Sequence, residues 1–180
     1  QRKLRRIAFR IYEDNVRAQG LVLVGVAPRG SKLAERLKHL LEEISPLKIE
    51  LLELELDKDD PLNKPVRFHL PKQGLDGQVV ILIDDVVMSG RTLMHAAAHL
   101  LAYPVKRLTT VVLVDRLHRA YPIRADIVGL TLSTTLQEHI SVELGRKDTV
   151  YLTLTPSMDA ISRAVSGGAS MAVVRRCALR

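Results

Sequence analysis

The chain has no tryptophan, two phenylalanines and four tyrosines among its 180 residues, so aromatics make up only 3% of it. Its core must therefore be aliphatic, and a hydrophobic content of 47% supplies enough material for one domain with a single core. The one cysteine, Cys177, excludes an internal disulfide and offers no thiol set for a structural metal. No apolar run reaches the ~20 residues of a membrane-spanning helix, and the polar, basic opening is unlike a secretory leader. A soluble, cytoplasmic protein is expected. Internal repeats and long low-complexity tracts are missing as well.

What charge there is lies unevenly. Residues 1–17 hold six basic and two acidic side chains, residues 156–180 hold four and one, and the stretch between them balances at 17 of each sign. The net +7 thus belongs to the two ends, which suit a polyanion-binding surface, while the middle is neutral. Near the start, Leu4, Ile7, Ala8, Ile11 and Tyr12 fall on one helical face, and Arg2, Arg5, Arg6 and Arg10 fall on the other. Phe9 lies within the basic face, where an aromatic ring can stack on a nucleic-acid base or pack in a subunit interface.

Residues 79–92 carry the chemistry. The run Val79-Val80-Ile81-Leu82-Ile83 predicts a buried parallel strand that ends where Asp84 and Asp85 begin, which puts both acids at the carboxyl edge of a sheet. Ser89, Gly90 and Thr92 then open a helix whose first N–H groups lack partners and favour an anion. Carboxylates beside an anion-binding turn fit a ligand with hydroxyls next to a phosphate, as in a ribose 5-phosphate. The plainer alternative is a strand-to-helix turn in which one aspartate caps the helix.

The remaining chain reads as alternating strands and helices: a strand over 20–26, a helix over 32–44, strands over 48–56 and 66–70, a helix over 92–102, and strands over 107–114 and 125–130. Two short strands over 140–144 and 149–154 close the series. Between strands, Asp57 to Pro65 is charged and proline-broken, which fits either a mobile lid or a solvated connection. Pro28 and Gly30 break the chain after the first strand. His95 and His99 share a helical face, but no third ligand stands nearby, so surface or interface histidines are expected.

The segment Asp84-Asp85-Val86-Val87-Met88-Ser89-Gly90-Arg91-Thr92 resembles the phosphoribosyl diphosphate (PRPP) motif of type I phosphoribosyltransferases. Leu21 to Gly30 is similar to the first strand and pyrophosphate loop of that family. Val114-Asp115-Arg116-Leu117-His118-Arg119, with Pro122 to Gly129 after it, resembles the base-side segment of one branch, the PyrR-type uracil phosphoribosyltransferases that double as pyrimidine-operon attenuators. Leu4-Arg5-Arg6-Ile7-Ala8 fits that branch too. The resemblance covers residues 1 to about 155.

The resemblance implies an α/β fold with a central, mainly parallel sheet flanked by helices, a small hood and a flexible lid loop. It divides the chain into a phosphoribosyltransferase domain, 1–155, and an extension, 156–180, of unknown structure. It implies transfer of the phosphoribosyl group of PRPP to uracil, giving UMP and pyrophosphate. By the same resemblance Asp84, Asp85, Arg29 and Lys58 are catalytic, although Asp57 stands where the family often has a tyrosine. PRPP would lie against Pro28, Arg29, Gly30 and Asp84 to Thr92, that is Val86, Val87, Met88, Ser89, Gly90 and Arg91 included. Mg²⁺ would arrive bound through PRPP, touching Asp84 or Asp85, with no direct protein metal site. Val114, Asp115 and Arg116 would line the base pocket; their alternative is a surface ion pair at a strand end. Met88 replaces the carboxylate that 6-oxopurine transferases carry there and cannot accept a proton, which points to a pyrimidine. Arg5, Arg6, Phe9 and Arg10 are the candidates for binding pyrimidine-operon mRNA, and a homodimer or larger homo-oligomer is expected. Two rivals stay open: a non-catalytic RNA-binding regulator that senses UMP or PRPP, and a transferase for another base such as orotate.

Overall fold

The aliphatic runs become strands covered on both sides, and the amphipathic runs become the helices that cover them. A computed structural model describes residues 2–57, 60–61, 64–117, 120–133, 138–143, 149–154 and 174–178. In chain order the elements are α1 (Arg2–Glu13), β1 (Gly20–Val26), α2 (Arg29–Ile44), β2 (Lys48–Glu55), β3 (Arg67–Phe68) and β4 (Val79–Val87). They continue with α3 (Arg91–Leu100), β5 (Arg107–Arg116), β6 (Ile127–Leu132), β7 (Glu138–Glu143), β8 (Thr149–Leu154) and β9 (Val174–Ala178). The main sheet has the order β3-β2-β1-β4-β5-β6. Its members are parallel except β3, which runs antiparallel to β2.

Alternation along the strands sorts side chains to the two faces. Leu21, Leu23, Ile81, Ile83 and Leu113 pack with Ile7 and Ile11 of α1 and with Leu33, Leu37 and Leu41 of α2. Val22, Val24, Val80, Leu82 and Val112 pack with Leu93, Ala96 and Leu100 of α3. Each fully buried aliphatic side chain contributes about 1.5–3 kcal/mol of transfer free energy, so aliphatic layers suffice without tryptophan. α1 is also tied down by a polar contact, because the Arg6 guanidinium donates to the carbonyls of Val128 (3.1 Å) and Gly129 (2.6 Å). At the start of β6, Asp126 Oδ2 accepts from the Thr110 N–H (2.7 Å) and hydroxyl (2.8 Å).

A second, antiparallel sheet has the order β7-β8-β9. Val142 of β7 is buried in the layer under α1 and α2. β9 comes from the extension and pairs with β8, Tyr151 standing opposite Arg176. Residues 155–173 lie outside the described residues.

Two boundaries and one side chain differ from the sequence reading in ways that matter. β4 does not end before the acids but runs through them to Val87, since β5 continues alongside as far as Asp115. α2 begins at Arg29 rather than residue 32, with Pro28 at its cap, a place where the fixed φ and missing N–H of proline do no harm. His99 is only partly exposed: its ring packs edge-on against Phe68 (5.7 Å) and Tyr103 (6.1 Å), and its Nε2 is buried.

Candidate active site

β1 and β4 are neighbours, yet the chain leaves β1 toward β2 and leaves β4 toward β5. The sheet therefore has its topological switch point between them, and the crevice at their carboxyl ends is where open α/β sheets hold ligands. Pairing of β4 with β1 stops at Ile83, whereas pairing with β5 goes on through Val87. Asp84 and Asp85 thus stand past the last β1–β4 pair, with a paired strand, β5, on one side only. Both are buried, at 2% and 3% exposure.

Each acid is held differently. Asp84 Oδ1 accepts from the Asp85 N–H at 2.9 Å. Asp85 Oδ2 has no hydrogen-bond donor among the described residues, and its nearest cation is Arg29, whose Nη1 lies 3.6 Å away. A buried carboxylate oxygen without a donor is expensive unless something pairs with it. Asp85 is therefore the group in this crevice most ready for a hydroxyl or a hard cation.

Two helices start at the same crevice. α2 follows β1 and α3 follows β4, and neither cap residue supplies a side-chain hydrogen bond. Neither first turn contains an acidic residue, so both present N–H groups and positive dipole ends that suit anions. Gly30 lets the α2 start close on the acid strand, since a Cβ there would lie 2.6 Å from the Ile83 carbonyl oxygen. Gly90 caps α3 at φ 87°, a left-handed conformation that side-chain-bearing residues seldom adopt. The Ser89 hydroxyl accepts from the Arg91 N–H at 3.3 Å. A cleft of about 190 Å³ is lined by Arg29 and by the continuous run from Asp84 to Leu93.

The remaining candidates are placed as follows. Val114, Asp115 and Arg116 lie one strand over, with Asp115 level with Val87 and buried. They flank the acid-lined cleft without lining it. Lys58 lies outside the described residues. Asp57 accepts from the Asp60 N–H (2.8 Å) and from Lys64 Nζ (2.5 Å), so it organises the base of its loop. On α1, Arg5 is exposed, Phe9 is 45% exposed and Arg10 pairs with Asp14 at 3.1 Å, whereas Arg6 is engaged with β6. Among the described residues no cluster of three or more His, Cys, Asp or Glu could hold a metal, His95 and His99 included.

The structure adds neighbours that sequence reasoning did not single out. The Ser89 carbonyl accepts from the N–H groups of both Ala120 and Tyr121, each at 3.0 Å. Ile123 Cγ2 lies 2.9 Å from the point where a Cβ on Gly90 would be. A larger cavity, about 610 Å³, opens at the opposite, amino-terminal edge of the sheet around Gly20, Leu47, Lys48 and Gln78. Its one carboxylate, Glu50, is taken up by Gln73, and it lacks a helix start, so the smaller cleft is the chemically equipped one.

Comparison with known proteins agrees with this geometry. Residues 1–147 match the phosphoribosyl transferase domain family. The chain is 40% identical over 167 residues to the Bifunctional protein PyrR of Streptomyces coelicolor, covering 87% of this chain and 86% of that protein. It is 36% identical over 160 residues to the Bifunctional protein PyrR of Haemophilus ducreyi, covering 83% and 88%. Among solved structures, a hypoxanthine-guanine phosphoribosyltransferase from Bacillus anthracis matches with a TM-score of 0.59 at 22% identity, over 73% of this chain and 76% of that one. The hypoxanthine phosphoribosyltransferase of Trypanosoma cruzi matches with a TM-score of 0.62, also at 22% identity, over 72% and 75%. At that identity the two structures speak for the fold. The chain belongs to the type I phosphoribosyltransferase family and, within it, to the group of the PyrR proteins.

Proposed function

We propose that the protein transfers the phosphoribosyl group of PRPP to a ring nitrogen of uracil, releasing pyrophosphate and forming UMP. The observation that carries this reading is the buried Asp84–Asp85 pair between two helix starts whose cap residues, Pro28 and Gly90, give no side-chain hydrogen bond. PRPP has the matching layout, with a phosphate at one end, a diphosphate at the other and two hydroxyls between them.

In this reading the α3 start, Val86 to Thr92, holds the 5-phosphate, while the α2 start with Pro28, Arg29 and Gly30 holds the diphosphate. Asp84 and Asp85 accept from the ribose hydroxyls. As the C1–O bond breaks ahead of bond formation, positive charge grows on the ribose and negative charge on the leaving diphosphate. Fixed carboxylates below the ring and Arg29 at the diphosphate oppose those charges without reorganising. Lys58 is assigned to the diphosphate by the family resemblance alone, as it lies outside the described residues.

Mg²⁺ fits this site through PRPP. Two buried carboxylates, one with an oxygen lacking a donor, are too few for an all-protein cage but suit a cation that keeps waters and substrate oxygens. Bound there, it would neutralise the diphosphate as a Lewis acid.

Val114, Asp115 and Arg116 are assigned to the base, beside Val87 in the sheet. Met88, packed partly into the core, has no group to take a purine proton, which supports a pyrimidine. The test is pyrophosphate release from PRPP and Mg²⁺ with uracil, orotate and hypoxanthine in turn. Turnover with uracil alone supports the assignment, turnover with orotate moves it to that base, and no release with any base favours a regulator.

A second activity is supported by the exposed Arg5, Phe9 and Arg10 on α1 and by the basic excess at the chain's start. We assign to this face the binding of a pyrimidine-operon leader RNA, with UMP or PRPP in the cleft as the signal. Affinity that falls steeply with salt and responds to UMP supports it; no affinity at low salt removes it. The reading further places a cytoplasmic homodimer or larger homo-oligomer, with residues 1–155 as the catalytic unit.

A further inference from the structure

The segment after β5 returns to the phosphate turn before it enters β6. The single carbonyl of Ser89 accepts from the N–H groups of Ala120 and Tyr121, each at 3.0 Å. The Ile123 N–H donates to the Tyr121 carbonyl at 2.9 Å, folding the segment tightly at that point. Next along the turn, the missing side chain of Gly90 leaves a space that three groups border: Ile123 Cγ2, 2.9 Å from the would-be Cβ, the Tyr121 carbonyl oxygen at 3.4 Å and Tyr121 Cβ at 3.5 Å. Ile123 itself packs into the layer that contains Leu93 and Val87. The branched methyl of Ile123 is thus a wedge against the left-handed residue that starts α3.

We infer that Ile123 is a positioning residue: its Cγ2 methyl on Gly90, together with the Ser89 carbonyl latch, holds the 5-phosphate turn in its binding geometry and fixes it to the base-side segment. This rests on the cleft being a PRPP and UMP site. A turn whose N–H groups must converge on a phosphate loses affinity steeply when it shifts by a fraction of an ångström. The wedge resists that shift from outside the cleft, without touching ligand. The latch also lies close in sequence to Asp115 and Arg116, the last residues of β5, one strand over from the acids.

Shape, not hydrophobic volume, is the variable to test. Ile123→Val keeps the branched methyl and loses bulk; Ile123→Leu keeps bulk and loses that methyl; Ile123→Ala loses both. Titration calorimetry with UMP, and the KM for PRPP set against kcat, are measured for all four proteins, with circular dichroism to confirm folding. The expected result is a roughly tenfold weaker UMP affinity and higher PRPP KM in Leu and Ala variants, kcat changed far less, and Val close to wild type. Leu close to wild type and Val impaired would show mere filling of space and overturn the inference, as would unchanged UMP affinity in Leu and Ala. Should Ala fail to fold, the Leu and Val pair still decides. If the wild type itself ignores UMP and PRPP, the functional reading falls and takes this inference with it, an outcome distinct from wild-type binding that the variants share.

Discussion

Arg29 and Asp85 face each other across the switch point, Nη1 3.6 Å from Oδ2, with the arginine side chain 54% exposed and the aspartate 4%. The buried partner is fixed by the strand, while the exposed one sits on the first turn of α2 and can turn toward an incoming anion. An incoming diphosphate can therefore draw the guanidinium to itself while a hydroxyl or cation of the ligand takes its place at the carboxylate.

Arg29→Ala should weaken pyrophosphate and, because it leaves the buried Asp85 Oδ2 without its nearest cation, should also lower the urea unfolding midpoint. Loss of a charge-assisted contact predicts a fall of about 1.5–3 kcal/mol in pyrophosphate affinity, read by titration calorimetry. Unchanged affinity would remove Arg29 from the leaving-group site.

Asp85→Asn keeps shape and removes charge at the oxygen without a donor. Pyrophosphate release should drop about 10²–10³-fold while the urea unfolding midpoint stays near wild type. Asp84→Ala differs, because it strips the acceptor from the buried Asp85 N–H. It should cost about 1–3 kcal/mol of stability in addition to activity.

Gly90→Ala combines two penalties. A side chain at φ 87° costs about 1–2 kcal/mol, and its Cβ meets Ile123 Cγ2 at 2.9 Å. Lower thermal stability together with weaker UMP binding is expected; a variant with wild-type values for both would contradict the described turn.

The α1 arginines should separate by role. Arg6→Ala removes donors to the Val128 and Gly129 carbonyls and should lower unfolding free energy by about 1–3 kcal/mol in urea titrations. Arg5→Ala should leave stability alone. If α1 binds RNA, it reduces the slope of log affinity against log salt by about one, whereas an unchanged slope excludes Arg5 from a phosphate contact.

Much of this was legible in the sequence, and the exceptions share a cause. The aliphatic runs at 20–26, 79–83 and 107–114 announce strands because a parallel sheet buries both faces. Asp84, Asp85 and Gly90 announce a site because acids, glycine and small hydroxyls follow such a strand directly. The continuation of β4 through its acids was not visible, since it depends on β5 extending beside it. The partial burial of His99 depends on Phe68 and Tyr103 packing against its ring, and the contact of Ile123 depends on a glycine 33 positions away. Local pattern reports what a residue can do; contacts made by distant segments decide what it does.

The alternation of β4 between its two helical layers ties chemistry to reading frame. Val79, Ile81 and Ile83 belong to one layer and Val80 and Leu82 to the other. Inserting or deleting one residue in that stretch would invert both layers and exchange the neighbours that the two aspartates meet. Length variation among natural or designed relatives should accordingly collect in the connections, leaving this strand's spacing from Val79 to Asp85 untouched.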